Sequence, residues 1–276
     1  MMALFTVFGG RGFIGSEIVK QLEQLGHEVY VPLRDDDSIF SVDLGYVIYA
    51  AGNGDCKNTP FAVVDANISL LSKILQKSMF SRLLYVSSTR LYMNTDTSNE
   101  DDDLLVCVED NRRLFNLTKL VGEELCLRSK KDVCIVRPSN VYGVALQSPL
   151  FLPSITRNAI NNGVIDMYIA KDYAKDYVSV TDVASSCISL ILTEKASQKI
   201  INIAAGINVT AQQIANVLQQ KTQCDVIWHE GNFPKEEFPE TDISLIKTII
   251  PNYRPSSVIA DLEEMINNFR LVLSKY

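Results

Sequence analysis

The sequence predicts an α/β protein: a Rossmann-type, doubly wound parallel sheet with a smaller C-terminal lobe. Three observations carry this expectation. Short apolar runs alternate with segments of helical period through the first half of the chain. A glycine-rich turn separates the first run from the first helix. After about residue 143 the alternation loosens.

The runs LFTVF (4–8), EVYVPL (28–33), YVIYAA (46–51), RLLYVSS (82–88) and VCIVRPS (133–139) have the length and composition of strands buried on both faces. Between the first two, GSEIVKQLEQLG sets Ile18, Val19, Leu22 and Leu25 on one helical stripe, and Gly26 supplies the stop. DANISLLSKILQKS and LTKLVGEELCLRS have the same period. Beyond residue 143, GVALQSPLFLPSITRNAINNG is richer in Pro and Asn, and Pro234, Pro239, Pro251 and Pro255 punctuate the later region. The expected division is a Rossmann domain over 1–143, joined by strands near 175–206, and a smaller lobe from 144–174 and 207–276. The acidic stretch NTDTSNEDDDLLVCVED (94–110) reads as an exposed loop, and its three consecutive Asp lack the spacing of a calcium site.

Bulk properties narrow the function classes. A hydrophobic fraction of 47% with 21% charged residues fits a soluble globular protein. A net charge of −7 argues against a broad nucleic-acid surface. No apolar run approaches the roughly 20 residues that span a bilayer. MMALFTVFGG leads directly into the glycine turn, so it reads as a first strand and not as a signal peptide. Six cysteines are scattered without a CxxC pair, which suits reduced thiols in a cytoplasmic protein. With only His27 and His229, a His-centred triad or metal site is not expected.

Gly9, Gly12 and Gly15 form GxxGxxG, with Arg11, Phe13 and Ile14 between them, directly after a strand and at the start of a helix. Missing side chains permit a tight turn and close approach of backbone to a pyrophosphate, and the helix N-terminus supplies free N–H groups and a favourable dipole. The expected ligand is therefore a dinucleotide. Leu33 stands where an NAD site carries its ribose-binding acid, followed by Arg34, while Arg11 lies in the turn. Two guanidiniums beside the ribose favour NADP(H) over NAD(H), because Arg binds a 2′-phosphate through paired hydrogen bonds. The plainer alternative pairs Arg34 with Asp35–Asp37 and leaves Arg11 in solvent.

With these residues in view, nearly the whole chain resembles the extended short-chain dehydrogenase/reductase family, in its nucleotide-sugar epimerase/dehydratase group. GGRGFIG matches the family turn, in the version seen in NADP-using GDP-fucose synthases. VIYAAG, with Ala50 and Ala51, matches the strand beside the cofactor, and Asn67 in DANISLL a family Asn. YVSSTRLY places Ser88 at the catalytic hydroxyl position, and KLVGEEL continues the helix in which Lys119 matches the catalytic Lys. VRPSNVYG, with Pro138, matches the segment touching the nicotinamide end; KDYVSVTDVA and INIAAG match two later family segments. The resemblance implies a nucleotide-linked sugar as substrate, met by Ser88, Thr89, Tyr92, Asn140 and Lys175. It also suggests a homodimer through the helices near 67–80 and 115–128.

Three departures stand out. Phe115 replaces the catalytic Tyr, Lys175 replaces a substrate-holding Arg, and the connection after Arg34 is too short for the family's third strand and adenine-contacting Asp. In the family the Tyr exchanges the hydroxyl proton while the Lys lowers its pKa. The i, i+4 spacing of 115 and 119 keeps both on one helix face. Phe has no exchangeable proton, and a positioned acid or base is worth about 10²–10⁴ in rate. Candidate substitutes are Ser88 relaying through water to Lys119, or the phenols of Tyr92 and Tyr142, for which packing is the plainer role. Two readings follow: an NADP(H)-dependent nucleotide-sugar oxidoreductase or epimerase with relocated proton transfer, or a catalytically degenerate homologue that binds a dinucleotide or nucleotide sugar as a sensor or scaffold.

Overall fold

The computed structural model describes residues 2–145, 148, 150–231, 233 and 236–273. The chain opens with β1 (Leu4–Phe8), α1 (Phe13–Gln24), β2 (Glu28–Tyr30) and β3 (Tyr46–Tyr49). A continuous helical stretch follows, from α2 (Pro60–Val64) through a π turn at Asp65–Ser69 into α3 (Leu70–Lys77). Next come β4 (Arg82–Val86), α4 (Arg113–Arg128), β5 (Val133–Pro138) and β6 (Asn140–Tyr142). The alternation then loosens: α5 (Phe151–Asn161), β7 (Val164–Met167), β8 (Ala174–Ser179), α6 (Val180–Ile191) and β9 (Ile200–Ile203). The chain continues with β10 (Asn208–Thr210), α7 (Ala211–Thr222), β11 (Asp225–Trp228), α8 (Ser244–Ile249) and α9 (Val258–Leu273).

Six parallel strands form the main sheet in the order β2-β1-β3-β4-β5-β9. Strand side chains alternate between its two faces, as a two-residue period requires. Phe5, Val7, Leu84 and Val86 enter one core with Ile18 and Leu22 of α1 and Val183 and Ile188 of α6. Phe8, Leu83 and Tyr85 enter the other, with Leu71 and Ile74 of α3 and Cys126 of α4. A third core gathers apolar faces of α5, α7 and α9 around Ile165 and Met167 of β7. This is the Rossmann-like α/β architecture expected from the strand–helix alternation.

Particular elements differ from expectation. The second strand stops at Tyr30 and forms the sheet edge, so it is only partly buried; Leu33 is 67% exposed. Only a 3-10 turn (Asp37–Phe40) fills the connection to β3, leaving no strand to cover β2. Of the later strands, β9 joins the main sheet, whereas β8 pairs with β6 and β10 in a small separate sheet. The span 207–276 does not lie wholly apart either. Ile246, Ile249 and Tyr253 pack into the main-sheet core, because β9 at that edge needs apolar cover.

The acidic loop is a second correction. Asp101–Asp103 are exposed, but Ser98 and Glu100 are buried, and the Glu100 carboxylate accepts from the backbone N–H of Asn202 on β9. Asp110, whose side chain is 1% exposed, pairs with Arg90. Hydrogen-bond demand from the buried Asn202 N–H within β9 and the Arg90 guanidinium after β4 draws these carboxylates in.

Candidate active site

Four connections meet at the carboxyl edge of the main sheet: the glycine turn after β1, Ala50–Gly54 after β3, Ser87–Ser88 after β4 and Ser139 after β5. This is where open parallel sheets place ligands. The turn fits a dinucleotide phosphate. Gly9 has φ +78°, and a Cβ there would lie 2.6 Å from the Ala51 nitrogen. A Cβ on Gly15 would lie 2.1 Å from the Gly9 carbonyl oxygen, so only glycine lets α1 approach the turn this closely. Gly12, at the N-cap, supplies no side-chain cap, and the first turn of α1 holds no acidic residue. Its leading N–H groups are therefore open to an anion. Phe13 is 37% exposed at this mouth and Ile14 packs inward. Arg11 donates to the carbonyls of Pro32 and Val31, which holds it just past the end of β2, and Arg34, two residues after Pro32, is exposed.

Lys119 is drawn to the site by close packing of α4 on β4. A Cβ on Gly122 would lie 2.3 Å from the Tyr85 hydroxyl oxygen, so glycine is what lets the helix sit there. Lys119 Nζ donates to the carbonyl of Val86 at 2.8 Å, two residues before Ser88, and lies 5.0 Å from the Tyr85 ring centroid. Burial lowers its pKa to about 8, and nearby Glu123 offsets part of the shift. Ser88 caps the following 3-10 turn by accepting from the Arg90 N–H, which leaves its own proton to donate. Phe115 is half-buried, its ring centroid 5.7 Å from Lys119 Nζ. Position 115 thus lies in the crevice, as the helix spacing requires.

Three candidate residues already have their polar atoms engaged within the protein. Asn67 was expected to touch cofactor, but its amide donates to Asn53 O and Thr118 Oγ1, and its oxygen accepts from the Asn53 N–H. Both amide hydrogens are committed, so Asn67 holds the loop after β3. Tyr92 was expected at the substrate and was one candidate substitute phenol, with packing as the plainer role. It is 2% exposed, donates to Asn202 Oδ1 and accepts from Arg137 Nη1, and burial pushes its pKa up to about 12. Tyr142 donates to Asp261 Oδ2 at 2.5 Å, and burial raises its pKa as well. Neither phenol is free to enter the crevice.

Thr89 and Asn140 line one small cavity with Asp176, Asn208 and Phe238. Asn140 Nδ2 donates to the Asp176 carbonyl, and Pro138 ends β5 opposite Ile203. Lys175 is held between the rings of Tyr173 and Phe238 and lies 3.4 Å from Glu236. Glu236 also accepts from Arg90 and the Tyr173 hydroxyl, and these donors hold its pKa at about 2 against the cost of burial.

Sequence reasoning missed Arg90, Asp110, Arg112 and Glu236. Arg112 had a readable signal: it precedes Phe115 by three residues, which places both on one helix face. Glu236 had none, since it arrives from a distant loop. The deeper support was also missed. Arg137 and Glu123, 2% and 4% exposed, pair at 2.6 Å beneath Tyr92.

Residues 5–204 match the family described as "NAD dependent epimerase/dehydratase family". Among curated relatives, the UDP-N-acetyl-alpha-D-glucosaminuronate decarboxylase of Bacillus cytotoxicus is 24% identical, covering 96% of this chain and 97% of its own. The putative GDP-L-fucose synthase 2 of Arabidopsis thaliana is 23% identical over 79% of this chain and 76% of its own. Among solved structures, MoeE5 in complex with UDP-glucose and NAD superposes with a TM-score of 0.86 at 18% identity, over 98% of this chain and 99% of that one.

Proposed function

The chain belongs to the NAD dependent epimerase/dehydratase family, and from that premise we propose that it is an NAD(P)-dependent oxidoreductase, epimerase or dehydratase acting on a nucleotide-linked sugar. The observation that carries the proposal is Lys119: a buried ammonium with its pKa lowered to about 8, bonded beside the strand end that presents Ser88. An unused cationic side chain in that position would be costly to bury. The curated relatives named above handle a GDP-linked and a UDP-linked sugar, which supports the substrate class.

A bound nicotinamide dinucleotide supplies the hydride exchange. The chain's own groups do the rest. The glycine turn and the first turn of α1 would hold the pyrophosphate of a bound dinucleotide, and the loop after β3, fixed by Asn67, would line its site. Ser88 donates a hydrogen bond to the sugar oxygen. Lys119, close to half-protonated near pH 8, gives or takes the proton through Ser88 and water, since Phe115 has none to exchange. Arg11 and Arg34 at the β2 edge, with exposed Leu33 in place of an acid, favour NADP(H) over NAD(H). Six free thiols fit the reducing cytoplasm. Exposed Leu117 and Val121 on α4 suit a homodimer through the helices near 67–80 and 115–128.

The test is to purify the protein, identify any retained cofactor, and screen nucleotide sugars with the native chain, Phe115→Tyr and Lys119→Ala. Turnover by the native chain, lost in Lys119→Ala while cofactor is retained, supports the enzyme. One observation favours a second reading, a homologue that binds but does not turn over: the phenols of Tyr92 and Tyr142 are locked elsewhere. Activity in Phe115→Tyr with none in the native chain would establish it.

A further inference from the structure

Three cationic side chains, Arg90, Arg112 and Lys175, lie near one another at the crevice with two carboxylates, Asp110 and Glu236. The carboxylates are spent on two of the three. Asp110 accepts from Arg90 Nη2, the Arg112 backbone N–H and Asn116 Nδ2. Glu236 accepts from Arg90, Lys175 and Tyr173. Among the described residues the Arg112 guanidinium has no carboxylate and no hydrogen-bond acceptor; it stacks on the Phe115 ring, 4.6 Å from the centroid. Arg90 Nε is buried without a partner. The cluster is one negative charge short.

Arg112 is only part-buried, and a part-buried guanidinium with no protein acceptor is a ready partner for an arriving anion. The location selects the anion. Arg112 stacks on residue 115, one helical turn from Lys119, and its Nη2 lies 3.0 Å from where a Cβ on Gly54 would stand, in the loop after β3. That is the reacting end of the crevice. Lys175 approaches from β8, in the small sheet outside the main one. A charge on the sugar ring meets Arg112 there, and a guanidinium fork matches a carboxylate through paired hydrogen bonds.

Resting on the function proposed above, we infer that Arg112 recognises a carboxylate on the substrate's sugar, so that the substrate is a nucleotide-linked sugar acid. Arg112 in this role sets specificity; it does not exchange the proton.

The test is equilibrium binding by calorimetry to the cofactor-replete protein with two sets of probes. One set is UDP-glucuronate, UDP-glucose and UDP; the other is GDP-mannuronate, GDP-mannose and GDP. In at least one set the acid is expected to bind about tenfold or more tightly than its neutral partner, as a charge-assisted pair predicts. Arg112→Gln is expected to erase that ratio without changing affinity for the neutral sugar or the nucleotide, and Arg112→Lys to retain part of it. Equal binding of acid and neutral sugar in both sets overturns the inference, and needs no variant to fold. Equal weakening of the bare nucleotide by Arg112→Gln also overturns it, by assigning Arg112 to the diphosphate. If folded protein binds none of the six probes, the nucleotide-sugar reading itself fails; if neutral sugars bind without preference for the acid, only this inference fails.

Discussion

The Lys119 ammonium donates a 2.8 Å hydrogen bond to the carbonyl of Val86 from a position only 5% exposed. A cation that deep has two consequences, one for stability and one for rate.

For stability, burial depresses the folded pKa to about 8 from 10.5, so between those values the unfolded chain holds a proton that the folded chain has shed. Stability therefore rises with pH across that window and is lowest below about 8. Lys119→Met is expected to stabilise the fold at pH 7 by up to about 3 kcal/mol, less roughly 1 kcal/mol for the lost hydrogen bond. Urea denaturation at pH 7 and pH 10 measures this. A native chain with no pH slope above 8 would contradict it.

For rate, a proton held by Lys119 gives turnover an apparent pKa near 8. Carbonyl reduction is expected to slow as pH rises through that value, and alcohol oxidation to quicken. In Phe115→Tyr a phenol competes for the role, so a shifted profile is expected. A flat profile from pH 6 to 10 would remove Lys119 from the proton path.

Glycines 15 and 12 separate steric need from mere occurrence in a motif. Gly15→Ala drives a Cβ to 2.1 Å from Gly9 O, whereas at Gly12 the same atom would be 3.2 Å away. Gly15→Ala is expected to weaken dinucleotide binding by about a hundredfold or more, and Gly12→Ala by roughly tenfold or less. Fluorescence titration with NADPH distinguishes them.

Arg137 and Glu123 form a buried pair, with Arg137 also donating to Tyr92. Glu123→Ala leaves a buried guanidinium uncompensated and is expected to cost about 3–5 kcal/mol. Chemical denaturation checks it; a loss under about 1 kcal/mol would mean that water reaches the guanidinium and compensates it.

At the β2 edge, Arg34→Ala and Arg11→Ala are each expected to weaken NADPH by about tenfold while leaving NADH nearly unchanged. Native protein that binds NADH more tightly than NADPH would overturn the assignment.

The glycine turn, the Ser88 strand end and the Lys119 helix were legible because each rests on local rules: periodicity, the needs of a tight turn, and i, i+4 spacing. Side-chain commitments were not. Asn67 and Tyr92 match a pattern by position, yet Asn53, Thr118, Asn202 and Arg137 had already claimed their polar atoms. The acidic loop looked solvated because its composition is polar, while the partners that bury Glu100 and Asp110 come from β9 and from the turn after β4.

By itself the sequence determined the α/β class, the dinucleotide turn and the absence of a phenol at position 115, because these depend on residues close in the chain. Only the tertiary structure decided what surrounds that absence. Arg112 covers Phe115 without an anion of its own, and Glu236 arrives from 146 residues beyond Arg90 and 61 beyond Lys175 to neutralise both. Charge balance in a crevice is a sum over side chains that the fold brings together from distant elements, and no local spacing encodes that sum.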